Sequence, residues 1–95
     1  MTVPLSTPLP TLPDDPAEVE RFIVWRLRRM QRGAGGEITP DSTFANLGVD
    51  SLQAITLIGE LEFSLGRILE PELMFDCPTP RALAQRLVDL KRRCP

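Results

Sequence analysis

The chain has 95 residues, enough for one domain with a modest core and little room for the deep pocket of a self-sufficient enzyme. It is 42% hydrophobic with a formal net charge of −2, which favours folding over disorder and argues against a nucleic-acid partner. Histidine is absent, which removes the commonest general base, the commonest metal ligand and any Ser-His or Cys-His pair, so neither a catalytic residue nor a metal site is expected.

Five of the ten prolines, Pro4, Pro8, Pro10, Pro13 and Pro16, crowd the first 16 residues and obstruct helix and strand hydrogen bonding alike. Residues 1–15 therefore read as a Pro-rich flexible tail or linker, and 16–93 as the folded domain. The start lacks the basic and apolar regions of a signal peptide, and no stretch is apolar enough to span a bilayer. A cytoplasmic protein with no membrane partner is expected.

Asp14 or Asp15 can cap the next segment, and Pro16 suits a first helical turn. Val19, Phe22, Ile23, Leu27 and Met30 recur at helical spacing, which predicts a first helix over Ala17 to Gln31, ended by Gly33. Arg21, Arg26, Arg28, Arg29 and Arg32 on or just after it read as a solvated face with snorkelling stems. From Gly33 to Asp50 no period persists. Ile38, Phe44, Leu47 and Val49 are placed to pin this loop to a bundle, while Gly35, Gly36, Pro40 and Gly48 provide its bends.

A second helix is predicted from Asp50 or Ser51 to about Ser64, stopping before Gly66. At 100° per residue its apolar side chains fall into two stripes, Ala54, Leu57, Ile58 and Leu61 on one side and Leu52, Ile55 and Phe63 on the other. A small bundle can bury only one of them, so Leu52 and Ile55 are expected to stay partly exposed for docking. Pro71 to Phe75 allows a turn or so of helix before Asp76-Cys77-Pro78 stops it. Thr79-Pro80 then starts a last helix, marked by Leu83, Leu87, Val88 and Leu90, that runs to about Arg92, where Lys91, Arg92 and Arg93 complement its dipole. Three longer helices, one short one and a long first connection predict an all-α, irregular four-helix bundle.

Between Asp41 and Asp76 the chain carries seven acids against the single base Arg67. Asp50, Glu60 and Glu62, on or beside the second helix, read equally as solvated surface or as charges that steer a basic partner. Cys77 and Cys94 show no zinc or redox spacing and are expected as free thiols in a reducing compartment. Gly59 disfavours a helix interior but falls beside Leu52 and Ile55, where a partner backbone could approach closely.

The run Phe44-Ala45-Asn46-Leu47-Gly48-Val49-Asp50-Ser51-Leu52 brings Ser51 to the end of the loop and the start of the second helix. By position alone it is an ordinary capping serine. The run Leu47-Gly48-Val49-Asp50-Ser51-Leu52, however, resembles the modification motif of acyl carrier proteins. Phe75-Asp76-Cys77-Pro78-Thr79-Pro80 resembles the landmark which that family shows before its last helix. The resemblance covers Phe44 to Leu90 in detail and is greatest to carriers of modular polyketide synthases. Thr56 stands where the family often has glutamate, and Cys77 where modular polyketide carriers often have histidine.

The resemblance implies a non-catalytic acyl carrier. A phosphopantetheinyl transferase would attach 4′-phosphopantetheine from coenzyme A to Ser51, with Gly48, Asp50 and Leu52 around the attachment point. The arm would carry acyl groups as thioesters to an acyltransferase, a ketosynthase or other acyl-processing enzymes of polyketide-type biosynthesis. Gly48 would allow the tight turn before the helix, and Asp50 would cap it. A phosphodiester there would gain roughly 0.3 to 1 kcal/mol from the helix N-terminus, enough to orient the arm but not to hold it. Leu52, Ile55, Thr56, Gly59 and Glu62 are the expected partner-binding residues of a monomeric domain. Two alternatives stay open: a peptidyl or aminoacyl carrier, and an unmodified helical module that binds a partner helix through its exposed stripe.

Overall fold

A computed structural model describes residues 11–30 and 38–93. Among the described residues four helices form the fold: α1 (Pro16–Met30), α2 (Ser51–Leu65), α3 (Leu73–Asp76) and α4 (Pro80–Arg93). The described residues are otherwise turns and irregular chain, so the architecture is the all-α bundle that the periodicity predicts. The boundaries of α1, α2 and α4 fall within a residue of expectation, apart from Gln31, which lies outside the described residues, and α3 begins two residues after Pro71.

The core is built from one stripe of each long helix. Val19, Ile23, Val24 and Leu27 of α1 join Leu57, Ile58 and Leu61 of α2 and Leu83, Ala84, Leu87 and Val88 of α4. Each fully buried Leu or Ile here contributes roughly 1.5–3 kcal/mol relative to exposure. Leu69, Leu73, Met74 and Cys77, from the α2–α4 connection, fill the remaining side.

The helix ends follow local chemistry. Asp50 caps α2 by accepting a hydrogen bond from Gln53 N at 2.8 Å, and the Gln53 side chain reaches back to Asp50 N to complete a capping box. Gly66 ends α2 at φ +77°, a left-handed conformation that costs glycine nothing, and its N–H donates to Glu62 O. Thr79 Oγ1 accepts from Ala82 N at the start of α4.

The loop before α2 is anchored as its apolar residues suggest. Ile38 and Phe44 are buried, Leu47 and Val49 half-buried, and Phe44 N donates to Pro78 O at 2.8 Å. Arg81 on α4 ties the same loop down, donating its backbone N–H to Pro40 O and its guanidinium to Asp41 at 2.6 Å. The expected bends at Gly35 and Gly36 lie outside the described residues.

The packed chain begins earlier than the boundary drawn at Pro16. Leu12 is fully buried, its N–H donates to Ser64 O at 3.0 Å, and its carbonyl accepts from Lys91 Nζ. Lys91 also pairs with Asp14 at 2.9 Å. A lone leucine among prolines shows no periodicity, so its burial depends on the ends of α2 and α4 meeting beside it. The tail expected over residues 1–10 lies outside the described residues.

Candidate functional site

Ser51 occupies the first position of α2, and the loop that delivers it turns at Gly48, whose φ of +74° is left-handed. Because Asp50 takes the capping role, the Ser51 hydroxyl has no such task. Ser51 is exposed, and among the described residues nothing hydrogen-bonds its side chain. This differs from an ordinary capping serine, whose oxygen is engaged by backbone N–H groups.

Beside Ser51 opens a cleft of about 360 Å³ between the pre-helix loop, the first turns of α2 and the α3 segment. Phe44, Val49, Ala54, Ile55, Met74 and Phe75 line it, with Asp50 and Ser51 at its edge. The walls are almost wholly apolar, so the cleft suits a hydrocarbon or another weakly polar chain rather than an ion. Phe75 forms one wall while remaining 84% exposed. Sequence reasoning missed Phe75 and Met74 as site residues, because a short segment of four helical residues carries no readable period. Gln53 was also missed, although an acid followed three residues later by glutamine is a legible capping-box signature.

The outer face of α2 runs away from Ser51. Leu52 is 72% exposed, Ile55 56% and Phe63 66%, as the two-stripe pattern requires of a helix that can bury one side only. Thr56 is exposed on the same side and donates its hydroxyl to Leu52 O at 2.8 Å. At Gly59 an added Cβ would meet no atom within 4 Å.

The structure gives the two interior acids of α2 different partners. Glu60 accepts from Arg26 Nε at 2.6 Å and from Nη2 at 2.7 Å, so its charge is spent on a bidentate pair between α1 and α2. Glu62 accepts the N–H of Leu69 at 2.7 Å and ties the chain beyond α2 back to the helix. Glu60 therefore offers no free steering charge, whereas Glu62, half-buried and bound by a neutral N–H, keeps its negative charge. Asp50 stays exposed at the N-terminus, and Glu70, Glu72 and Asp76 are exposed on and before α3.

On the basic side, the pair with Glu60 holds the Arg26 guanidinium above its usual range. Cys77 is buried, and that burial pushes its thiol up. Among the described residues, no helix is long and apolar enough to cross a membrane.

A family profile described as a phosphopantetheine attachment site matches residues 30–87. Over 54 residues, 57% of this chain and 3% of the relative, the sequence is 41% identical to a phenolphthiocerol synthesis polyketide synthase type I of Mycobacterium bovis. Over 79 residues, 80% of this chain and 4% of the relative, it is 35% identical to a non-reducing polyketide synthase of Trichophyton verrucosum. The chain thus spans only a few hundredths of the length of these synthases. The fold is similar to the crystal structure of a free-standing peptidyl carrier protein from an uncharacterized Acinetobacter baumannii secondary metabolic pathway. The TM-score is 0.74 and the identity 35%, over 82% of this chain and 98% of that one.

Proposed function

The chain belongs to the phosphopantetheine-attachment family of carrier domains, and from that premise we propose that Ser51 is the residue to which the phosphopantetheine is joined. The observation that carries this is the exposed Ser51 hydroxyl at the first position of α2, relieved of capping by Asp50. It also lies at the edge of an apolar cleft large enough to receive part of a flexible arm. These features fit a group with a phosphodiester at one end and a long neutral chain beyond it. The backbone N–H groups at the start of α2 would favour the phosphodiester end.

When attached, the group supplies a mobile thiol that holds acyl cargo as a thioester. The residues of this chain anchor and present it. The capped first turn of α2 fixes where the arm departs, Gly48 lets the loop reach that point, and the walls formed by Phe44, Met74 and Phe75 favour apolar over charged cargo. Tethering raises the effective concentration of cargo at each enzyme without any catalytic group in the carrier. The domain is in this reading non-catalytic and serves a phosphopantetheinyl transferase, then an acyltransferase, a ketosynthase or similar enzymes. The polyketide-synthase relatives support acyl cargo of the polyketide type over aminoacyl cargo.

The test is direct. Incubation with coenzyme A, magnesium and a broad-specificity transferase should add one phosphopantetheine to the intact mass, and Ser51→Ala should abolish the gain. An unchanged mass with several transferases would reject the assignment.

A further inference from the structure

The solvent face of α1 has at its centre a tryptophan that the core does not use. Trp25 lies two residues from both Ile23 and Leu27, which are buried in the core, so the helical period turns it outward. The indole is 38% exposed and braced on the helix surface, its ring centre 6.1 Å from that of Phe22 and 5.5 Å from the Arg29 guanidinium that lies over it. Arg21, Arg28 and Arg29 are exposed around it. Their charges are barely answered. Glu18 reaches Arg21 only at 3.9 Å, with both side chains more than half exposed, and Glu20, the other acid of α1, pairs with Arg81 on α4. The helix dipole favours Arg28 and Arg29 in the last turn, but it accounts for neither Arg21 nor the indole.

We propose that this face of α1 docks an acidic protein surface, in which an apolar pocket takes the Trp25 indole and carboxylates around the pocket meet Arg21, Arg28 and Arg29. The site is separate from Ser51 and does not depend on its assignment. Charge complementarity selects the occupant. A second copy of the chain would bring two net-positive faces together. A membrane surface needs an apolar helix face to insert, and the apolar stripe of α1 is already buried in the core. A nucleic acid would meet a chain of net charge −2. An acidic protein pocket suits the residues present. Tryptophan and arginine are among the side chains most enriched where protein–protein binding energy concentrates. Arginine both stacks on rings and holds a carboxylate through two hydrogen bonds, and a braced indole loses little freedom on burial.

The experiment titrates the full chain with a copolymer of glutamate and leucine, an acidic probe with apolar side chains. Trp25 is the only tryptophan of the chain, so its emission reports this face alone. The copolymer should shift that emission to shorter wavelength, as an indole leaving water does. Its affinity should fall about tenfold or more between roughly 0.05 and 0.5 M NaCl. By calorimetry, Arg21→Gln with Arg29→Gln should weaken binding about tenfold, whereas Arg67→Gln with Arg86→Gln, which removes the same charge elsewhere, should change it less than about twofold. Trp25→Ala keeps every charge and should still cost severalfold in affinity. Thermal melts of these surface variants should stay near wild type. Should a variant unfold, the wild-type emission shift and its salt dependence decide. An unshifted emission would overturn the proposal, as would equal losses from the two arginine pairs, which would mean that charge alone binds. A larger shift with phosphatidylglycerol vesicles or duplex DNA than with the copolymer would overturn it as well, by assigning the face to a lipid or a nucleic acid.

Discussion

Arg26 on α1 grips Glu60 on α2 through two hydrogen bonds of 2.6 and 2.7 Å, with only 14% and 12% of the two side chains exposed. A partly buried bidentate pair of this kind is worth little against a well-packed apolar replacement. It is costly to break from one side, because the remaining charge loses its partner. Glu60→Ala should therefore lower stability by about 2 kcal/mol, and Arg26→Leu with Glu60→Leu should recover most of it. Urea unfolding of Glu60→Ala and of the double leucine variant measures this. Glu60→Gln should leave transferase KM unchanged, since Glu60 serves the fold rather than docking.

Asp50 caps α2 and leaves the neighbouring Ser51 hydroxyl exposed. Ser51→Ala should abolish phosphopantetheine addition while moving the urea midpoint hardly at all. Asp50→Ala should cost about 1 kcal/mol, through loss of the Gln53 N hydrogen bond and the capping box. A Ser51→Ala protein that unfolds much more easily than wild type would show the hydroxyl to be structural.

Leu12 and Asp14 clasp the far end of the bundle. Leu12→Ala should destabilise by about 2 kcal/mol or more, as loss of a fully buried leucine side chain does. The ion pair and hydrogen bond with Lys91 hold the Asp14 carboxyl below its ordinary value of 3.8. A folded pKa depressed in this way adds stability above the unfolded value, and the gain is lost as pH falls through the folded one. Thermal melts at successively lower pH should therefore show wild type losing an increment below about pH 4 that Asp14→Asn, already lacking the pair, does not lose.

Cys77 is 6% exposed, and its thiol is raised by burial. In a Cys94→Ser background, iodoacetamide at neutral pH should label the native protein far more slowly than the urea-unfolded protein, because both access and the thiolate fraction are reduced. Comparable rates in the two states would contradict the packing of Cys77 against the core. The same slowness should let a mild thiol reagent read an attached arm without interference from this cysteine.

Much of the fold was legible because its signals are local. The spacing of Val19, Ile23 and Leu27, the Asp50-Ser51 start, the Gly66 stop and the Thr79-Pro80 start each act within a turn or two of chain. The exposure of Leu52, Ile55 and Phe63 was legible for a related reason, since a helix with two apolar stripes in a small bundle must leave one outside. The cleft was not legible. Phe44 comes from the pre-helix loop, Ile55 from α2, and Met74 and Phe75 from α3, and no pattern within any one of these elements indicates that they converge.

By itself, then, the order of residues determined where the helices begin and end, which stripe each turns inward, and that Ser51 stands at a loop-to-helix junction. These follow from propensity, capping and the 3.6-residue period, which act over short distances along the chain. Only the tertiary structure decided that Glu60 is consumed by Arg26, that Glu62 ties down Leu69, and that Leu12 is buried beside Ser64 and Lys91. Each of these depends on which side chain arrives from a distant element, and a charge or a leucine has the same identity in the sequence whether its partner is water or another helix.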